Sequence, residues 1–257
     1  MPVFLQKRKF SAISAMHFFK LLFRSALFVL AVILFISERL DPDFSLYPQD
    51  AKSSIILMII WVIFAAEMIL RLFPSKLESM GCQKQFKRNY RPVPGAAMPE
   101  RERSRRGVLL SAGSWILLNG FFGALYLCGV IGWEFMLLLS LAYSVCDMIC
   151  ILYFCPFQTW FLKNKCCGSC RIYNWDYAMM FTPLIFVPSW YTWSLLGLGI
   201  ILLLYWELTY ARHTERFYEQ SNASLRCANC PEKLCSHKKQ LQRFLKTYWA
   251  QLREQIK

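Results

Sequence analysis

The chain has 257 residues, of which 56% are hydrophobic and only 18% charged, yet Lys and Arg outnumber Asp and Glu by 30 to 16, a net charge of +14. With a mean hydropathy of +0.32, this composition excludes an ordinary water-soluble domain and points to a membrane protein. The 3 histidines are too few for a multi-histidine iron centre, and the hydrophobic segments lack the residues that would hold a haem between two of them.

An α-helix needs about 20 mainly apolar residues to cross the hydrocarbon core. Windows of that kind predict an all-α, polytopic domain over 1–211, with six transmembrane helices in three hairpins. The first hairpin covers 18–37 and 53–73, around an acidic loop with Asp41, Pro42, Asp43, Pro48 and Asp50. The second covers 108–133 and 134–155, joined so tightly around Gly129, Gly132 and Trp133 that its helices must be antiparallel neighbours. The third covers 177–193 and 194–210. Its first member is short, because 177–187 ends at Pro188 beside Trp190, Tyr191 and Trp193, an aromatic belt suited to the interface. Read instead as a re-entrant segment, 177–187 would move the C-terminus to the other face.

Lys and Arg set the orientation. Lys7, Arg8 and Lys9 precede the first span; the loop 74–107 carries Lys76, Lys84, Lys87, Arg88, Arg91, Arg101, Arg103, Arg105 and Arg106; the Cys-rich loop 156–176 carries Lys163, Lys165 and Arg171. Only Arg39 and Lys52 fall on the opposite side. Both termini are therefore expected in the cytosol, with the first span an uncleaved anchor because no small-x-small site follows Ile36. The loop 74–107, with Pro92, Pro94, Gly95 and Pro99, is expected to be poorly ordered. Its charge suits the anionic cytosolic leaflet rather than nucleic acid. The tail 212–257 ends in an expected amphipathic helix, 238–256, where Leu241, Phe244, Leu245, Tyr248, Trp249, Leu252 and Ile256 recur at helical spacing.

The eleven cysteines sort by position. Cys128, Cys146 and Cys150 lie inside spans, whereas Cys82, Cys155, Cys166, Cys167, Cys170, Cys227, Cys230 and Cys235 lie at or beyond the cytosolic boundary. That placement argues against a disulfide framework and against an outward-facing thiol oxidase pair, and grouped reduced thiols are more often metal ligands. Cys167 and Cys170 form one C-x-x-C knuckle, Cys227 and Cys230 another. Together they can make a single four-thiolate site. Alternatively, Cys155, Cys166, Cys167 and Cys170 hold one ion while Cys227, Cys230, Cys235 and His237 hold a second. Structural zinc, contributing on the order of 10 kcal/mol, and an iron–sulfur cluster both suit such ligands.

An ionisable side chain near the bilayer centre costs about 2.5 to 3.5 kcal/mol, so Glu67, Asp147 and Glu207, in the second, fourth and sixth spans, each need a partner or a role. Arg71 stands at i+4 from Glu67, and Glu207 is close enough to Arg212 and His213 to snorkel. Asp147 lies deepest, beside Cys146 and one turn before Cys150, with Asn119 of the third span as its expected hydrogen-bond partner. A stripe from Asp147 past Cys150 to Cys155 and Cys170 could carry protons, a metal ion or redox equivalents. Asp176 is placed to N-cap the fifth span.

No G-x-S-x-G elbow, P-loop or H-E-x-x-H sequence is present, which disfavours familiar hydrolases and NTPases. The residues point to a membrane metal-binding protein, first of redox type, with a cytosolic iron–sulfur centre and a redox or docking partner at that face. A non-catalytic scaffold shaped by zinc knuckles, and a transporter or metal-handling protein using Glu67, Asp147 and Glu207, are the alternatives. The basic excess shares a face with the outer cysteines, where Lys163, Lys165, Arg171 and Arg226 would favour thiolates.

Overall fold

The computed structural model describes residues 12–40, 51–74, 80–95, 101–163 and 167–229. The acidic loop 41–50, Cys166, Cys230, Cys235, His237 and the expected helix 238–256 lie outside the described residues. The helices are α1 (Ala12–Leu40), α2 (Ala51–Leu70), α3 (Met80–Gln85), α4 (Arg101–Leu127), α5 (Trp133–Leu152), α6 (Asp176–Phe181) and α7 (Trp190–Arg212), joined in part by short 3-10 turns, with no strand among the described residues.

Four helical stretches, Ser14–Leu40, Arg105–Leu127, Trp133–Leu152 and Trp190–Arg212, are long and apolar enough to cross a membrane, and Ile55–Leu70 of α2 is a shorter apolar helix. Their outer faces expose Leu22 and Ile33 on α1, Ile59 and Val62 on α2, Leu117 and Phe121 on α4, and Leu204 and Leu208 on α7, while Arg24 and Arg71 are buried. Hydrocarbon outside and charge inside is the arrangement an apolar solvent selects.

The turn between α4 and α5 falls at Gly129. Gly129 takes a left-handed conformation, φ +71°, which a glycine adopts without a Cβ penalty. Its amide donates to the Tyr126 carbonyl (3.0 Å) and the Val130 amide to the Leu125 carbonyl (3.0 Å). These two bonds are the Schellman closure of a helix C-terminus.

The segment expected at 177–193 is built differently. Residues Arg171–Trp175 and Thr182–Phe186 are wound as 3-10 helix on either side of the six-residue α6, and α7 already begins at Trp190, so the break is confined to 187–189. A 3-10 helix rises about 2.0 Å per residue against about 1.5 Å for an α-helix, so 171–186 extends about 29 Å instead of about 24 Å. It runs antiparallel to α7. Arg171 and Trp175 bond Glu207, a Cβ on Gly199 would stand 3.2 Å from the Ala178 amide nitrogen, and Trp190 follows directly at the far end.

Trp61 of α2 donates to the Ser194 hydroxyl of α7 (2.8 Å) and stacks on Trp190 (5.2 Å), and Phe64 packs edge-on to Phe181 (5.5 Å). Hence α2 runs parallel to α7 and opposite to α6. The start of α4 packs on the wide helical turn Phe157–Leu162 that follows α5. The beginnings of α1 and α4 and the ends of α2, α5 and α7 therefore share one end of the bundle, called here the basal end. A Cβ on Gly107 would stand 2.6 Å from the Phe161 carbonyl oxygen. Gly107→Ala must push two backbones apart, and a loss of about 1 to 3 kcal/mol is expected in thermal unfolding of the detergent-solubilised protein.

Part of the basic loop expected to be poorly ordered is a folded cap. Residues 80–95 contain α3 and a 3-10 turn at Lys87–Asn89, fastened to the segment after α7 by Asn222. Its side-chain amide donates to the carbonyls of Lys84 (3.0 Å) and Arg216 (2.9 Å) and its Oδ1 accepts from the Arg91 amide (3.3 Å). Gln85 of α3 reaches the Gly168 carbonyl (3.3 Å) and accepts from Asn174 (3.0 Å). The cap is thereby bolted onto the cysteine-bearing loop. The polar residues Gln85, Asn174 and Asn222, all fully buried, carry this order without an apolar pattern to announce it.

Candidate functional site

The buried acids converge on Arg24, which is only 1% exposed. Its guanidinium donates to Asp147 Oδ2 (2.9 Å), Glu67 Oε2 (2.9 Å) and the Ser144 carbonyl (3.2 Å). The Tyr177 hydroxyl donates to the same Glu67 oxygen (2.6 Å), and Lys20 Nζ lies 3.3 Å from Glu67 Oε1. Beside this cluster Arg71 pairs with Asp176 (2.6 Å) and lies over the Tyr177 ring (4.6 Å). Lys20, Arg24 and Arg71 thus balance Glu67, Asp147 and Asp176, and the set ties together α1, α2, α5 and α6. The five donors of a guanidinium are what allow one side chain to satisfy two carboxylates and a carbonyl.

Several partners differ from those expected. Glu67 pairs with Lys20 and Arg24 of α1, and Arg71, just beyond the end of α2, pairs with Asp176. Asp176 opens α6 with Trp175 as its capping residue; its Oδ1 bonds the Tyr177 amide (2.9 Å) and its Oδ2 faces Arg71, so it works chiefly as a counter-ion. Asn119 donates to the Trp115 carbonyl of its own helix (3.0 Å), and the partner of Asp147 is Arg24. Glu207 is held by Arg171 through two hydrogen bonds and by the Trp175 indole N–H (2.7 Å), and so anchors the cysteine loop to α7.

Against this network lies a cavity of about 120 Å³ between α4, α5, α6 and the loop 155–173. Cys146 and Cys150 of α5, Cys155 just beyond it, and Cys170 of the loop all line it, together with Asp147 and Asp176. Most of the remaining wall is apolar or aromatic, including Trp115, Met179 and Met180. Cys146 is exposed, Cys150 and Cys155 are partly buried and Cys170 is buried. Cys150 and Cys155 are in hydrogen-bond contact. The Cys155 sulfur also accepts the Gln158 backbone amide (3.4 Å), a donor that favours negative charge on sulfur. The helical turn Phe157–Leu162 fixes that amide in place.

Asp147, Cys150, Cys155 and Cys170, expected from the sequence to share one stripe, all line this cavity. Cys227 is exposed on the 3-10 turn Cys227–Asn229, and the side chain of Cys167, like Cys166, Cys230, Cys235 and His237, falls outside the described residues. Among the described residues no group of three His, Cys, Asp or Glu side chains is arranged to hold a metal ion. A pair of thiols in contact is what the cavity offers.

Lys20 and Arg24, in the opening turns of the first apolar run, were not among the candidate site residues, and Arg24 is the centre of the site. The available signal was that Arg24 lies within the first apolar run, and an intramembrane cation demands intramembrane acids. The chain matches no protein-family model, no curated protein and no solved structure.

Proposed function

We propose that this is an integral membrane protein that takes up a thiophilic d10 cation, Cu(I) or Zn(II), at the Cys150–Cys155 pair of the α5 cavity. The observation that carries this reading is the convergence of Cys146, Cys150, Cys155 and Cys170 on one cavity, with Cys150 and Cys155 already in contact. Soft sulfur ligands select such ions over the hard cations that carboxylates prefer. Binding converts two thiols to thiolates and releases two protons. The Gln158 amide supports the charge on Cys155, and the two sulfurs of the pair are the ligands the cavity supplies. Asp147 and Asp176 are committed to Arg24 and Arg71 and serve to hold the cavity wall.

In this reading the chain crosses the bilayer six times with the basal end in the cytosol, the stretched segment 171–186 being the core of the fifth crossing at about 29 Å against a hydrocarbon core of about 30 Å. Exposed Cys227 reports the sidedness. A membrane-impermeant maleimide is expected to label it in inverted vesicles and to spare it in sealed cells, and labelling of intact cells would reverse the orientation.

A second reading, a cytosolic iron–sulfur centre serving electron transfer, is favoured by the position of Cys170. It ends the Cys166, Cys167, Cys170 group and also lines the cavity wall, so a cluster on that group would adjoin the cavity. Elemental analysis of anaerobically purified full-length protein separates the two. About one copper or zinc per chain without acid-labile sulfide is expected; iron with sulfide would establish the second reading, and neither metal would remove both.

A further inference from the structure

We infer that the basal end of α7 binds the phosphate group of an anionic phospholipid. A second cavity, of about 300 Å³, lies beside the last turns of α7, between that helix and α3. Its wall carries Arg212, Arg216 and Trp206, and these present donors without matching acceptors. Trp206 is 2% exposed and its indole N–H has no hydrogen-bond partner; Arg216 Nε is likewise buried without one. The acid nearest to Arg216, Glu215, is 4.0 Å away and engaged with His213 at 3.3 Å. Arg212 is exposed and forms no ion pair among the described residues. Buried donors left open in a basic cavity are the complement of an anion.

The cavity also has the shape of a lipid site. Tyr205, Leu208 and Arg212 share one face of α7, and that face continues away from the basal end through exposed Ile201 and Leu204. An acyl chain laid along this stripe brings its phosphate to the two arginines, at the depth where headgroups meet a helix end. The donors are fixed in advance. Trp206 packs edge-on against Phe86 (5.0 Å), and Asn222 holds the turn bearing Arg216 through that residue's carbonyl (2.9 Å). A soluble phosphate would meet the same donors but gain nothing from the stripe.

The test uses full-length protein in neutral detergent, with native mass spectrometry and thermal unfolding in the presence of phosphatidylglycerol, phosphatidylcholine or inorganic phosphate. Retention of one phosphatidylglycerol, with stabilisation that phosphatidylcholine and inorganic phosphate do not reproduce, is expected. Arg212→Gln/Arg216→Gln should weaken retention roughly tenfold or more. Arg105→Gln/Arg106→Gln, which removes the same charge from exposed positions on α4, should leave it unchanged, and circular dichroism verifies that each variant is folded. Equal retention of the zwitterionic lipid, or an unaltered folded Arg212/Arg216 variant, would overturn the site. Equal stabilisation by inorganic phosphate would overturn the lipid as its occupant.

Discussion

Arg24→Met is expected to destabilise the protein by about 3 to 5 kcal/mol, because it leaves the Glu67 and Asp147 carboxylates inside the bundle without the cation that both contact at 2.9 Å. The methionine replaces the bulk of the arginine stem, so the loss reports charge rather than a cavity. Lys20 stands 3.3 Å from Glu67 Oε1, whereas Arg24 bonds both acids. The decisive comparison is the triple variant Arg24→Met/Glu67→Gln/Asp147→Asn. Removing all three charges also removes the burial penalty, so most of the lost stability should return. Thermal or denaturant unfolding in one detergent measures both variants. If the triple variant is no more stable than Arg24→Met alone, the network is not held together by charge balance. Arg24→Lys should fall between, since an ammonium lacks the planar fork that serves two carboxylates and the Ser144 carbonyl together.

The same residues show how far the sequence could be read. The long apolar runs, the turn at Gly129 and the membrane class follow from composition and periodicity, since each depends on local residue type. The stripe through Asp147, Cys150 and Cys155 was also legible, because spacing on one helix and its exit fixes which side chains are neighbours. Arg24 was not, because a charge in an apolar run is ambiguous until the acids on other helices are placed. Glu67 illustrates the rule: its i+4 neighbour Arg71 was the nearest cation in sequence, and a tertiary partner displaced it. The segment 171–187 was obscured for another reason. Counting residues assumes a rise of about 1.5 Å, and a 3-10 winding breaks that assumption. The cap over 80–95 was hidden because it is built on buried amides such as Asn222, which carry no periodic signature.

The second large effect concerns the cavity. Cys150→Ser/Cys155→Ser keeps nearly the same volume and a hydrogen-bonding group at each position, so the fold should persist. It removes both sulfurs of the contacting pair and the acceptor of the Gln158 amide's 3.4 Å bond. A serine hydroxyl is a hard and neutral ligand, and a d10 cation bound through thiolates is expected to be lost almost completely. Cys227→Ser, at an exposed position away from the cavity wall, should leave metal content unchanged and serves as the matched control.

X-ray absorption at the edge of the metal found in the full-length protein reads the proposed coordination directly. The expected spectrum is a first shell of sulfur, at about 2.3 Å if the ion is zinc, present in the wild type and in Cys227→Ser and absent from the Cys150→Ser/Cys155→Ser protein. A shell of nitrogen and oxygen alone, or an unchanged sulfur shell in that double variant, would contradict metal uptake at the Cys150–Cys155 pair.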